Sequence, residues 1–204
     1  MPKHTFFASF AAAGMLVVLF AQVAYAAAAA DTPARVWMIG ADDNHNAEFT
    51  LAPGSYSQFA KDGFFIVGKS DPHQDWPYVQ PGPVDGWAGG RSHTFSIVFG
   101  LKSLPLSGEC RLVIDLLDTQ KSLPPRLRID VNGQSFEVQP PPGAGDASVY
   151  GNPGQGREHK FDVSFPVNTR HIGNNHVAVT TLTGSWVLYD WIGLEAPAGI
   201  ELGE

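Results

Sequence analysis

The feature that most restricts the fold is a two-residue apolar rhythm, interrupted every few residues by Gly, Pro or Asn. "HTFSIVF" puts Phe95, Ile97 and Phe99 on one face, and "CRLVIDLLD" does the same with Cys110, Leu112, Ile114 and Leu116. "RLRIDV" contributes Leu127, Ile129 and Val131, and "FDVSF" contributes Phe161, Val163 and Phe165, while "HVAVTTL" and "WVLYDWIGL" keep the rhythm less cleanly. Successive side chains of a strand point to opposite faces, so each segment is expected to be a strand with one buried face. Asn132-Gly133 between "RLRIDV" and "QSFEV" predicts a hairpin, since this pair tolerates positive φ at both centres of a type I′ turn. No long stretch free of Gly and Pro carries a helical apolar stripe. About eight to ten short strands without helices imply an all-β fold, an antiparallel two-sheet β-sandwich of jelly-roll type. "QPPPGAGDASVYGNPGQG", residues 139–156, is too long for a tight turn and reads as one large ordered loop.

The N-terminal residues follow a different rule. Lys3 and His4 form a short basic head, Phe6 to Val23 an uncharged apolar run, and Ala24-Tyr25-Ala26 the small-x-small pattern of a signal-peptidase site. The expected organisation is a signal peptide at 1–26, a linker at 27–35, one domain at 36–196 and a tail at 197–204, in a secreted or periplasmic protein. The run exceeds the roughly 7–15 apolar residues of a signal core and approaches the roughly 20 of a membrane span, so a retained anchor is the alternative. No Cys follows the run, which argues against a lipid anchor. Without Lys3 the balance is 12 basic to 20 acidic residues, a net charge of −8, which excludes a nucleic-acid partner that would need a basic face. Cys110 is a single thiol on the apolar face of its strand, read as structural rather than nucleophilic.

Candidate site residues come from "DWPYVQPGPVDGWAGGR". Trp76, Tyr78 and Trp87 flank turn formers that expose loop side chains, and a flat ring can stack on a sugar face while Asp75, Asp85 and Arg91 bond its hydroxyls. The competing reading is that these rings close one end of the sandwich. "DDNHN" begins like a calcium loop, but Ala47 and Pro53 stand where an EF-hand needs Gly and Glu. A structural calcium at Asp43 or Glu48 is the weaker alternative to a solvated turn. The histidines show no zinc-type spacing, "GSW" is no nucleophile elbow, and Asp115 and Asp118 of "DLLD" do not by spacing form a glycosidase pair.

In order along the chain, "VWMIGADDNHNAEF", "DWPYVQPGPVDGWAGGRSHTFSIVF", "RLVIDLLD", "LRIDVNG", "GAGD" and "GNNHVAVTTLTGSWVLYDWIGLE" resemble the C-terminal carbohydrate-binding-like domain of rhamnogalacturonan lyases, polysaccharide lyase family four. The resemblance runs from about Val36 to Leu194 and implies a galactose-binding-like jelly roll that meets pectin. It also implies framework roles for Trp37, Gly40, Phe49, Trp186 and Tyr189, with Asp190 tying a loop and Trp191 filling the core. In that family elimination belongs to a Lys and a His of an upstream domain, so no catalytic residue carries over. The expected function is therefore a secreted, non-catalytic module for pectic polysaccharide. The alternatives are a stand-alone lyase or glycosidase, and a module docking a separate catalytic chain.

Overall fold

A computed structural model describes residues 33–203, so the expected signal segment lies outside the described residues. Eleven strands follow in chain order: β1 (Ala34–Gly40), β2 (Phe64–Ile66), β3 (Val79–Gln80), β4 (Thr94–Ser103), β5 (Glu109–Thr119), β6 (Arg126–Val131), β7 (Gln134–Val138), β8 (His159–Pro166), β9 (Gly173–Thr183), β10 (Val187–Ala196) and β11 (Glu201–Leu202). One sheet has the order β1-β10-β5-β8, with β3 on β10; the other has the order β11-β4-β9-β6-β7, with β2 parallel to β4. The result is the jelly-roll β-sandwich that the apolar rhythm predicts.

The rhythm sets what lies between the sheets. Phe95, Ile97, Phe99 and Leu101 of β4 and Leu127, Ile129 and Val131 of β6 face Leu112, Ile114 and Leu116 of β5 and Trp37 and Ile39 of β1, all of them buried. Trp37 meets Phe99 across the gap at 5.4 Å between ring centroids. Cys110 is buried and unpaired, and burial raises its thiol pKa, which fits the structural reading. The β6–β7 hairpin turns on Asn132 at φ 48° and Gly133 at φ 88°, both left-handed as a type I′ turn requires.

Two elements differ from the sequence expectation. β5 is buried on both faces, because Val113 and Asp115 on its second side, and Leu117 and Asp118 where its pairing with β10 shifts register, are covered as well. A one-turn helix, α1 (Pro72–Asp75), also forms, with Asp71 as N-cap accepting from the His73 amide at 3.0 Å and Pro72 in its first turn. Residues expected as linker and tail supply the start of β1 and all of β11, which pairs with β4.

Candidate functional site

At the end of the sandwich where β4 begins and β5 ends, three irregular segments converge. Trp87 sits in a 3-10 turn, Gly86–Ala88, and is half-buried. Its ring meets Tyr56 edge-on at 5.0 Å and Phe59 at 6.2 Å. Tyr150, 63% exposed on the long loop, lies 5.5 Å from Tyr56. With Asp85, Asp146 and Gln120 the rings of Tyr56, Trp87 and Tyr150 line an open cleft of about 210 Å³ whose wall includes Trp186.

Each wall is held by bonds between distant segments. In the Trp87 turn, Asp85 accepts from the Gly82 amide at 2.7 Å and from the Ser185 hydroxyl at 2.5 Å. Burial raises the Asp85 carboxyl pKa, opposed by these bonds. The turn closes at Gly89, whose φ of 92° suits only glycine without strain. Behind it His93, 1% exposed, has Nδ1 at 2.5 Å from Asp62 and Nε2 at 3.0 Å from the Ala88 carbonyl. Both ring nitrogens thus face acceptors, and the imidazole clamps the turn that carries Trp87.

The Tyr150 wall hangs on Asp118. Its Oδ1 accepts from the amides of Thr119, Ala144 and Arg157 at 2.9, 2.9 and 3.2 Å, and its Oδ2 from the Ser148 hydroxyl at 2.6 Å. Gly143 packs so closely that a Cβ there would lie 1.8 Å from the Thr119 carbonyl oxygen. Residues 139–156 are therefore an ordered loop, as their length and composition predict. The nearby Asp146 charge raises the Tyr150 phenol pKa.

The aromatic segment divides, and part of the sequence expectation is corrected. Trp76 and Tyr78 have no exposed surface. Trp76 packs edge-on against Phe95 at 5.1 Å and Tyr189 at 5.4 Å, because α1 turns the chain inward directly before it. Neither ring can stack on a sugar. Asp75 bonds the Asp71 amide beside α1, and Arg91 pairs with Asp62 at 3.5 Å, so neither joins the cleft lining. Trp87 and Asp85 are brought together there. Tyr56, Gln120, Asp146 and Tyr150 were not singled out from the sequence, although Tyr150 sits among turn formers just as Trp76 does.

The calcium candidates, Asp43 and Glu48, both lie in the turn after β1. Asp43 accepts from the His45 amide at 3.0 Å and Glu48 from the Ala41 amide at 2.7 Å, so both carboxylates brace the loop after β1. Among the described residues, the acidic cluster whose oxygens could hold a cation is Asp42, Asp115 and Asp190, one oxygen of each lying within 4.8 Å of the others. The Lys160 ammonium reaches into it, 2.8 Å from Asp115 and 3.3 Å from Asp42. Asp190 also accepts from the His45 amide at 3.0 Å, the loop-tying role expected of it.

Fold and cleft together define a carbohydrate-binding-module-like domain. Residues 35–194 match the family described as CBM-like, polysaccharide lyase family 4, domain III, and the chain belongs to that family. Among solved structures it is similar to a family 35 carbohydrate binding module from an environmental isolate, at 15% identity over 55% of this chain and 70% of that one, with a TM-score of 0.36. It is similar to CBM35 from Cellvibrio japonicus Abf62, at 19% identity, the same coverage and a TM-score of 0.33. A third similarity is to Xyl-CBM35 in complex with a glucuronic acid containing disaccharide, at 16% identity over 55% and 70%, with a TM-score of 0.32. A comparison with curated proteins finds no match.

Proposed function

We propose that this chain is a secreted, non-catalytic module that binds pectic, rhamnogalacturonan-like polysaccharide of plant cell walls at the cleft between Trp87, Tyr56 and Tyr150. The observation that carries this reading is the aromatic cluster at a loop end, bordered by the open carboxylate of Asp146 and the side chain of Gln120. Pyranose rings present an apolar face and a hydroxyl edge, and the cleft offers a surface for each. Covering roughly 100 Å² of ring face at about 25 cal/mol/Å² yields about 2.5 kcal/mol per stacked ring. Ordering and association costs consume much of that, which suits affinities on the order of micromolar to millimolar. Family membership supports the glycan class.

The cleft's chemistry supports holding rather than cleaving. Asp85 is bonded to Gly82 and Ser185, which leaves Asp146 as the open carboxylate of the lining, and no Lys or His contributes to it. Glycoside hydrolysis uses two carboxyl groups flanking the bond. Depletion binding to rhamnogalacturonan, homogalacturonan and xylan tests the proposal. Retention is expected on the pectic polymers, weakened by about tenfold or more by Trp87→Ala, the share of one such contact that survives the ordering costs. Folded protein retained on none of them overturns the reading.

A further inference from the structure

The charge of the loop-end cleft has one sign. Its lining carries two carboxylates, Asp85 and Asp146, and no Lys, Arg or His. Asp85 is 6% exposed, and both of its oxygens already accept hydrogen bonds, from Gly82 and Ser185, so it adds negative charge to the wall without offering a ligand contact. Asp146 is exposed, and its main-chain carbonyl rather than its carboxylate holds the Tyr150 amide, at 3.1 Å. The positive groups of the flanking segments are engaged elsewhere. Arg91 and the His93 ring both face Asp62, at 3.5 and 2.5 Å, and the Arg157 guanidinium donates to the Pro142 carbonyl at 3.2 Å. Lys121, next to Gln120, is exposed and outside the lining.

The polar groups that remain suit hydroxyls. Gln120 gives its side-chain carbonyl to the Ser122 and Leu123 amides, both at 2.6 Å, which leaves its NH2 group as the donor it presents. An ionised carboxylate such as Asp146 only accepts, and its two oxygens can take the O–H groups of neighbouring sugar carbons in charge-assisted bonds. A ligand carboxylate placed there meets no cation in the lining and is repelled by Asp146 and Asp85 together. The whole chain, with a net charge of −7, also approaches an acidic polymer against long-range repulsion, so short-range contacts with uncharged groups must supply the attraction.

We infer that the loop-end cleft selects the uncharged sugar residues of a pectic chain, with Asp146 accepting from their hydroxyls, and disfavours uronate residues. The inference rests on the glycan reading of this cleft and narrows it. The rings of Trp87, Tyr56 and Tyr150 stack on an uncharged residue, while the uronates of a rhamnogalacturonan point away from the lining. Homogalacturonan, whose every unesterified residue is charged, is held more weakly than rhamnogalacturonan.

The test follows the Trp87 indole N–H signal during titration with three oligosaccharides of one backbone: an oligogalacturonide, its methyl ester and its carboxyl-reduced form, which differ only at the carboxyl carbon. Both uncharged forms are expected to bind about tenfold more tightly than the acid at low salt, the scale of one like-charge contact. The gap should narrow at about 1 M salt, where the screening length falls to about 3 Å. Asp146→Asn, an exposed substitution confirmed folded by its melting curve, should bring the acid to within about threefold of its uncharged forms. Equal affinity for acid and uncharged forms, or a preference for the acid, overturns the inference and leaves the cleft a glycan site. A preference that survives both high salt and Asp146→Asn traces to shape rather than charge and overturns it as well. A Trp87 signal that none of the three moves overturns the inference together with the glycan reading on which it rests.

Discussion

The hydroxyl of Tyr78 donates to the carbonyl of Val149 at 2.6 Å, joining a side chain with no exposed surface to the loop that carries Tyr150. Tyr78 does not touch a glycan in this account; it fixes the height of the wall that does. Burial raises its phenol pKa far above the ordinary range, so the donor keeps its proton at any working pH.

Tyr78→Phe should therefore leave the Val149 carbonyl unpaired and destabilise the fold by about 1–3 kcal/mol. Amide hydrogen exchange over residues 139–156 should quicken more than exchange in β4 or β6. Binding should weaken although no contacting residue has changed. Uniform exchange in loop and strands would show that the bond does not order the loop.

Two tryptophans eleven positions apart should behave oppositely. Trp76→Ala opens a cavity among Phe95, Tyr189 and Phe65 and should cost about 3–5 kcal/mol in urea unfolding. Trp87→Ala removes a half-buried ring and should cost about 1–2 kcal/mol, while lowering glycan retention.

Acid should stabilise one corner of the protein. Burial, aided by the charges of Asp115 and Asp43, raises the Asp190 pKa from 3.8 to about 7, against the pull of the His45 and Asn44 amides. Between those values the folded chain holds a proton that the unfolded chain releases. Stability from this group is thus full at low pH and falls as pH rises through the window, with a slope of at most about 1.4 kcal/mol per pH unit. Asp190→Asn should flatten that fall and raise stability at neutral pH. Melting curves from pH 4 to 8 check it, and a native chain whose stability climbs steadily to pH 7 with no contribution reversed in Asp190→Asn contradicts it.

Arg170 is a candidate for stabilisation. Its guanidinium is 3% exposed, stacks 4.1 Å from Phe165, and has no hydrogen-bond partner among the described residues. Desolvation lowers its pKa to about 10. Replacing a buried, unpaired charge by an apolar chain of similar length removes that cost, so Arg170→Met should stabilise by about 1–4 kcal/mol in denaturant unfolding. A loss of stability would mean that the guanidinium is paired in solution.

How far the sequence was legible follows from what is local. The alternation in β4, β5 and β6 shows which positions face inward because side-chain direction is fixed by the strand itself, and Asn132-Gly133 marks its turn by backbone conformation alone. Trp76 and Trp87 share a composition, and what separates them is not local. Trp76 is turned inward by a capped helix of one turn, and Trp87 outward by a bend that His93, Asp85 and Ser185 hold. The covering of the second face of β5 by Trp191 and the long loop, and the meeting of Asp42 with Asp115 and Asp190, depend on segments far apart in the chain. No spacing rule expresses them.

The most direct measurement of the central claim is the response of the five tryptophan indole N–H signals to a rhamnogalacturonan oligosaccharide. The account predicts that Trp87 shifts most at the loop-end cleft, with a smaller shift at Trp186 on the wall behind it, while Trp76 and Trp37 stay in place. An oligosaccharide that binds without moving Trp87, or that moves Trp76 instead, contradicts it.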